Sequence, residues 1–325
     1  MTDTTCIAVL GERIIDLVPG EGAGDYRALP GGSPANVALA LARLGIEPLL
    51  LARRAGDGFA EILDDHLRAS GLSLEGLVEG GGVSMLAVCT RHHDSSMSYS
   101  FYSSDSPDLR WSTADLERAR GQIAARGAVA WHTGSLASYL GDGVGTVLDA
   151  WQRARADGQL TLSYDPNARP AALDARQMRE RIEPFALAAH VVKASDEDLA
   201  YCYPDTGIEQ VCARWVEEGP VIVVLTRGAR GVTVFQRGAV PRDLPAVVVD
   251  VVDTVGAGDT LSAGLLAGLA PWCGPDSDRR LAALPADVVD EVVLGATAAA
   301  AITCSRPGAD PPTRAEVDAL RARRD

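Results

Sequence analysis

The chain has 325 residues, 47% of them hydrophobic and 23% charged. That is enough for a large buried core, and it is not the composition of a disordered chain. The formal net charge is −14, which excludes a phosphate-backbone partner such as DNA as a general expectation but leaves room for a small anion held by local dipoles. Of the 30 basic residues only Lys193 is a lysine, and no Gly-Lys pair exists, so a Walker-type P-loop is excluded. The six cysteines form no Cys-x-x-Cys pair and read as free thiols. The segment Met1–Thr5 lacks the basic and apolar parts of a signal peptide, and the run Val292–Cys304 is too short to span a bilayer. These features together predict a cytoplasmic, enzyme-sized protein with no membrane partner.

In chain order, Ile7–Leu10 reads as a buried strand. Ser33-Pro34 opens a helix, with Ser33 as N-cap and Pro34 in the first turn. Val37, Leu41 and Leu44 share one face of that helix, and Gly45 ends it. Leu49–Leu51 is the next strand. Asp57 starts a second helix that closes at Gly71. Further strands are expected at Ala128–Trp131, Leu160–Ser163, Val191–Lys193 and Val221–Leu225, with helices between them. This alternation predicts a mostly parallel sheet covered on both faces by helices.

Two segments break the rhythm: Arg13–Pro30, and Val83–Trp111 with its alternating hairpin joined by residues 91–96. They predict a small β subdomain inserted into one α/β domain spanning 1–325. Pro271–Pro285 reads as a surface loop.

The strongest chemical signal is Asp253-Thr254-Val255-Gly256-Ala257-Gly258-Asp259-Thr260, followed at once by a helical apolar pattern. Gly256 and Gly258 permit a tight turn whose amides meet a helix N-terminus, where an anion is favoured. Asp259, in the same turn, suits a general base that takes a proton from a substrate hydroxyl while the amides hold a transferring phosphoryl group. The same residues also suit a plain Gly-rich turn with Asp as a helix cap. A second signal is Gly31-Gly32-Ser33-Pro34-Ala35-Asn36. Its glycines allow close approach of a ligand, and Asn36 offers both donor and acceptor. Asp16 follows the first strand, in the region where open α/β sheets bind ligands.

The stretches at 253–259 and 31–36 resemble the two signatures of the ribokinase family of sugar kinases, of PfkB type, and the resemblance covers almost the whole chain. It implies a ribokinase-like α/β fold with a central, mostly parallel sheet and a small β-sheet lid. The implied reaction is transfer of the ATP γ-phosphoryl group to a sugar hydroxyl. The resemblance makes Asp259 the base, and Gly256, Ala257 and Gly258 the anion hole. It makes Asp16, Gly31, Gly32 and Asn36 sugar contacts. Thr226, Gly228 and Gly231 match a turn lying along the nucleotide, with Lys193 beside it. Asp165-Pro166-Asn167-Ala168-Arg169 resembles a fructokinase-like stretch whose Arg169 reaches the transferred phosphate or an acidic sugar. Asp198 falls one methylene short of the family's usual glutamate, which acts through the magnesium hydration shell. Magnesium is expected with ATP. Potassium enters the expectation because relatives bind a monovalent cation beside the anion hole.

Phe101 and Ser103 fall where relatives contact the sugar, and Ser103 stands where kinases of keto-deoxy sugar acids carry an arginine. Fructose is therefore the first expectation, with keto-deoxygluconate and ribose as alternatives. A dinucleotide-binding dehydrogenase is disfavoured because no complete Gly-x-Gly-x-x-Gly occurs. A catalytically inert sugar-binding protein would have no need of Asp259. By analogy with relatives whose lids pair between subunits, a homodimer through the inserted β segments is expected.

Overall fold

The computed structural model describes residues 5–20, 22, 24–91 and 97–323. From the N-terminus the elements are β1 (Cys6–Leu10), β2 (Ile14–Pro19), β3 (Tyr26–Gly31), α1 (Ser33–Arg43), β4 (Glu47–Arg54), α2 (Gly58–Ala69), β5 (Leu77–Glu79), β6 (Met85–Arg91), β7 (Met97–Tyr102), α3 (Thr113–Ala125), β8 (Ala130–Gly134) and α4 (Val144–Asp157). There follow β9 (Thr161–Asp165), α5 (Ala175–Ala188), β10 (Val191–Ser195), α6 (Asp196–Cys202), α7 (Ile208–Glu218), β11 (Ile222–Thr226), β12 (Val232–Gln236), β13 (Arg242–Leu244), α8 (Ala257–Leu269), α9 (Ser277–Ala282), α10 (Ala286–Cys304) and α11 (Arg314–Arg321).

Among the described residues the strands form two sheets. The larger has the order β13-β12-β11-β10-β9-β8-β1-β4-β5. Its strands run parallel from β11 to β5, and β12 and β13 add an antiparallel edge. Alternation along β1 explains the layering. Ile7 and Val9 join the core beneath α1, α8 and α10, while Ala8 and Leu10 join the core beneath α3 to α7. A strand buried on both faces must be apolar at every position, and all five residues of β1 are buried.

The smaller sheet has the order β3-β2-β6-β7 and comes from the two segments that interrupt the α/β rhythm. Its central pair, β2 and β6, is parallel, and both outer pairs are antiparallel. Of the expected polar connection at 91–96, residue 91 ends β6 and residues 92–96 lie outside the described residues.

Asp57 caps α2 as expected, accepting from the Ala60 amide at 3.0 Å. Two expectations need correction. Ser33 does not cap α1: the cap position is Gly32, and no side-chain cap bond forms. The stretch Pro271–Pro285 is not simply a surface loop. It carries α9, whose Leu281 reaches the core, and Ser277, whose hydroxyl lies 2.6 Å from that of Thr161.

Candidate active site

The parallel strands β1, β4 and β8 to β11 end on one side of the large sheet, and chain order reverses between β1 and β8. Open α/β sheets bind ligands at such a switch point. A cavity of about 780 Å³ opens there between the large sheet and the small one. The body contributes Glu12 after β1, Ser135 after β8, Asn167 after β9, and the head of α8. The small sheet contributes Asp16 on β2 together with Tyr99 and Phe101 on β7.

Nine of the sequence-derived candidates line this cavity: Asp16, Gly31, Gly32, Asn36, Phe101, Arg169, Gly256, Gly258 and Asp259. Asp259 sits in the first turn of α8 and is buried. Its Oδ1 accepts from the Ser33 hydroxyl at 2.6 Å, and its Oδ2 from Asn36 Nδ2 at 2.8 Å. Burial pushes its carboxyl above the usual carboxylate range, and these two hydrogen bonds oppose that shift.

Gly256 caps α8 in the left-handed region with φ 76°. A side chain there would also meet Ala309, because a β-carbon would stand 2.6 Å from Ala309 Cβ. The Asp253 carboxylate braces this turn, accepting from the Gly308 amide at 2.8 Å and the Val255 amide at 3.1 Å. The amides of Gly258 and Asp259 precede the first intrahelical bond, from Thr260 to Gly256, so they face outward as anion donors. Ala257, expected in the anion hole, does not line the cavity, and its amide donates to the Thr254 carbonyl at 3.3 Å.

Asp16 is raised to about 6, chiefly by burial. Arg169 opposes the rise and the Asp259 charge adds to it. Gly31 makes room for it, since a β-carbon on Gly31 would stand 2.3 Å from Asp16 Oδ2.

Lys193 lies just behind the anion turn. Its ammonium is 2.7 Å from Asp165 Oδ2, both groups are buried, and a β-carbon on Gly258 would stand 3.0 Å from Nζ. Burial pulls the lysine pKa down, but the neighbouring carboxylates, Asp165 first, leave it raised and the charge in place. Thr226, Gly228 and Gly231 lie further along the same sheet edge, at the end of β11 and in the turn after it. Thr226 pairs with Ser195 of β10.

Two candidates take other positions. Ser103 lies just past β7, outside the cavity wall, with its carbonyl accepting from the Ser106 amide at 3.0 Å. Its hydroxyl is therefore no substitute for a charged sugar contact in that wall. Asp198 is buried in α6. Its Oδ1 accepts from the Ala168 amide at 2.8 Å, and its Oδ2 from the Ser195 amide at 2.9 Å. Both oxygens hold backbone, which suits contact through a metal-bound water rather than direct ligation. Burial raises its pKa and Lys193 opposes the rise. Among the described residues no cluster of three or more His, Cys, Asp or Glu could cage a metal ion.

Sequence reasoning missed Glu12, Ser135 and Asn167 as wall residues. Glu12 is fully buried, its carboxyl accepts from the Ala137 amide at 3.1 Å, and burial raises it to about 7. Ser135 and Asn167 are non-glycine residues at positive φ, 54° and 40°. Such conformations gather at functional sites.

The model of the pfkB family carbohydrate kinases matches residues 4–316. The chain belongs to this family. As a carbohydrate kinase it is 31% identical over 333 residues to the probable fructokinase-4 of Arabidopsis thaliana, covering 98% of this chain and 97% of that protein. It is 32% identical over 303 residues to the fructokinase of Klebsiella pneumoniae, covering 91% and 93%. The crystal structure of the fructokinase of Xylella fastidiosa with bound ATP matches with a TM-score of 0.86 and 25% identity over 98% of both chains. The ribokinase-like α/β fold is shared with these structures. No helix among the described residues is long and apolar enough to cross a membrane.

Proposed function

We propose that this kinase is an ATP-dependent fructokinase. The observation that carries the reading is the placement of Asp259 at the head of α8, on the wall of the cavity that Asp16 closes from the small sheet. Asp16 and Asn36 hold sugar hydroxyls. Asp259 accepts the proton of the hydroxyl that attacks. The amides of Gly258 and Asp259, at the turn that Gly256 opens, meet the charge that develops on the transferred phosphoryl group, and Arg169 adds a cation. Lys193 contributes a fixed positive charge behind the turn. Thr226, Gly228 and Gly231 lie along the nucleotide.

The curated relatives named fructokinase support the choice of sugar, and so does the charge of the wall. Glu12, Asp16, Asp253 and Asp259 stand there against Arg27 and Arg169. A sugar carboxylate would meet a wall with more acidic than basic residues, in which Arg169 already acts electrostatically on Asp16. A neutral ketose leaves no charge unpaired.

Magnesium fits as an ion that arrives with the nucleotide and keeps its waters, since the carboxylates near the anion turn are engaged by backbone amides, by Lys193 or, for Asp259, by Ser33 and Asn36. It would shield phosphate charge, with Asp198 acting through its hydration shell. Potassium belongs to the same reading by analogy with relatives that bind a monovalent cation beside the anion hole. The small sheet acts as a lid on a single domain. We also propose a homodimer through this lid, because its edge strands expose Tyr26, Leu29, Tyr99 and Tyr102. Sedimentation at micromolar concentration tests that state, and a monomer contradicts it. The activity is tested by ADP release with fructose, ribose, tagatose, keto-deoxygluconate and nucleosides. Fructose is expected to give the highest kcat/KM.

A further inference from the structure

A serine at the start of a helix ordinarily turns its hydroxyl onto an amide of its own first turn. Ser33 does not. Its hydroxyl donates to Asp259 Oδ1 at 2.6 Å, across 226 residues of sequence, and both side chains are buried. Ser33 also follows Gly32, the point where the chain crosses from the small sheet into α1. Gly32 holds φ 106°, and a β-carbon there would stand 2.6 Å from the Glu12 carbonyl. The donor is therefore fixed at a backbone crossing that only glycine fits.

Burial drives the Asp259 carboxyl toward its neutral form, and a neutral carboxylic acid takes no proton. The charged and polar groups facing it come from four elements. Ser33 and Asn36 on α1 donate to it. Lys193 on β10 favours its charge, Asp165 on β9 opposes it, and Asp16 on β2 of the lid lies close enough for the two carboxylates to repel. Lys193 is already engaged by Asp165 at 2.7 Å. Asn36 also lines the cavity, where a sugar competes for its amide. Ser33 borders the same cavity, but its hydroxyl is engaged by Asp259 Oδ1 at 2.6 Å, and that contact is buried.

We propose that Ser33 is a positioning residue for the reaction, its hydroxyl holding the Asp259 carboxylate aimed and proton-accepting in the closed site. This rests on the reading of Asp259 as the base. The role acts through the carboxylate and needs no contact between Ser33 and the sugar.

The test is the pH profile of kcat/KM for the sugar, from pH 5 to 9, for the wild type and for Ser33→Ala, Ser33→Thr and Ser33→Cys. Asp16 is common to all four and cancels in the comparison. Ser33→Ala is expected to move the acid limb up by about one pH unit, because a hydrogen bond to a charged acceptor is among the stronger kind. The KM for ATP stays within about twofold. Ser33→Thr keeps a hydroxyl and restores the limb. Ser33→Cys, a weak donor, falls between, and serves if the alanine variant does not fold. An acid limb unchanged in both Ser33→Ala and Ser33→Cys overturns the proposal, as does a threonine variant that behaves like alanine. Near-normal turnover of Asp259→Asn would instead remove the base reading itself, so the two failures are told apart.

Discussion

The ammonium of Lys193 lies 2.7 Å from the carboxylate of Asp165, and both side chains are buried. Two strands, β9 and β10, thus meet at their functional ends through an ion pair that stands directly behind the anion turn of α8. Lys193→Ala leaves Asp165 as a buried, unpaired charge. The expected cost is about 3–5 kcal/mol of stability, which is the usual penalty for breaking a buried pair from one side. A thermal or urea melt checks it, and Lys193→Ala combined with Asp165→Ala should recover part of the loss. Equal stability of the single and double variants would show that the pair is not coupled.

Glu12 supplies a pH signature in stability. Burial raises its carboxyl from the ordinary range to about 7. A group whose folded pKa is raised favours the folded state when protonated, and that contribution disappears as pH rises through the folded value. Glu12→Gln keeps the acceptor for the Ala137 amide and carries no charge. Its Tm should exceed that of the wild type at pH 8, and the difference should vanish by about pH 4. A difference that grows on acidification would contradict the burial of a carboxylate at this position.

Gly31→Ala places a methyl where Asp16 Oδ2 now stands. The carboxylate must move, and a sugar contact goes with it. KM for the sugar is expected to rise about tenfold or more, while KM for ATP is unchanged, because the nucleotide turn at 226–231 lies on other strands. Equal effects on both substrates would argue against Asp16 as a sugar contact.

Much of the fold was legible in the sequence. The runs at 7–10 and 221–225 are apolar at every position, which a strand covered on both faces requires. The glycines at 256 and 258 announced the turn before α8. The antiparallel edge was not foreseen: Val232–Gln236 follows β11 after a short turn, whereas the pattern elsewhere pointed to helical crossovers. Ser33 carried a helix-start signal that was one residue off, since Gly32 is the cap, and wrong in partner, because no local pattern reveals an acceptor 226 residues away. Asp198 was assigned by resemblance to a metal role, yet Ser195-Asp196-Glu197-Asp198 is also a Ser-x-x-Asp capping box, and that is the contact the side chains make. Positive φ at Ser135 and Asn167 leaves no mark in composition, so the wall they form had to be seen.

The charge of the cavity wall predicts substrate preference. The kcat/KM for fructose should exceed that for keto-deoxygluconate by at least about tenfold, which asks for only about 1.4 kcal/mol of discrimination. Arg169→Ala should not reverse the order, since Arg169 faces Asp16. Preference for the acid sugar would move the assignment to another member of the family and leave the kinase chemistry intact.

The most direct test of the whole account is the turnover of Asp259→Asn with fructose and ATP. The asparagine keeps the shape of the side chain and can still accept from Ser33, with Asn36 turning its amide oxygen toward the new NH2, but it accepts no proton. The account predicts a loss of kcat of about 10² or more, with ATP binding near that of the wild type and an unchanged fold. Turnover within a few-fold of the wild type would contradict it.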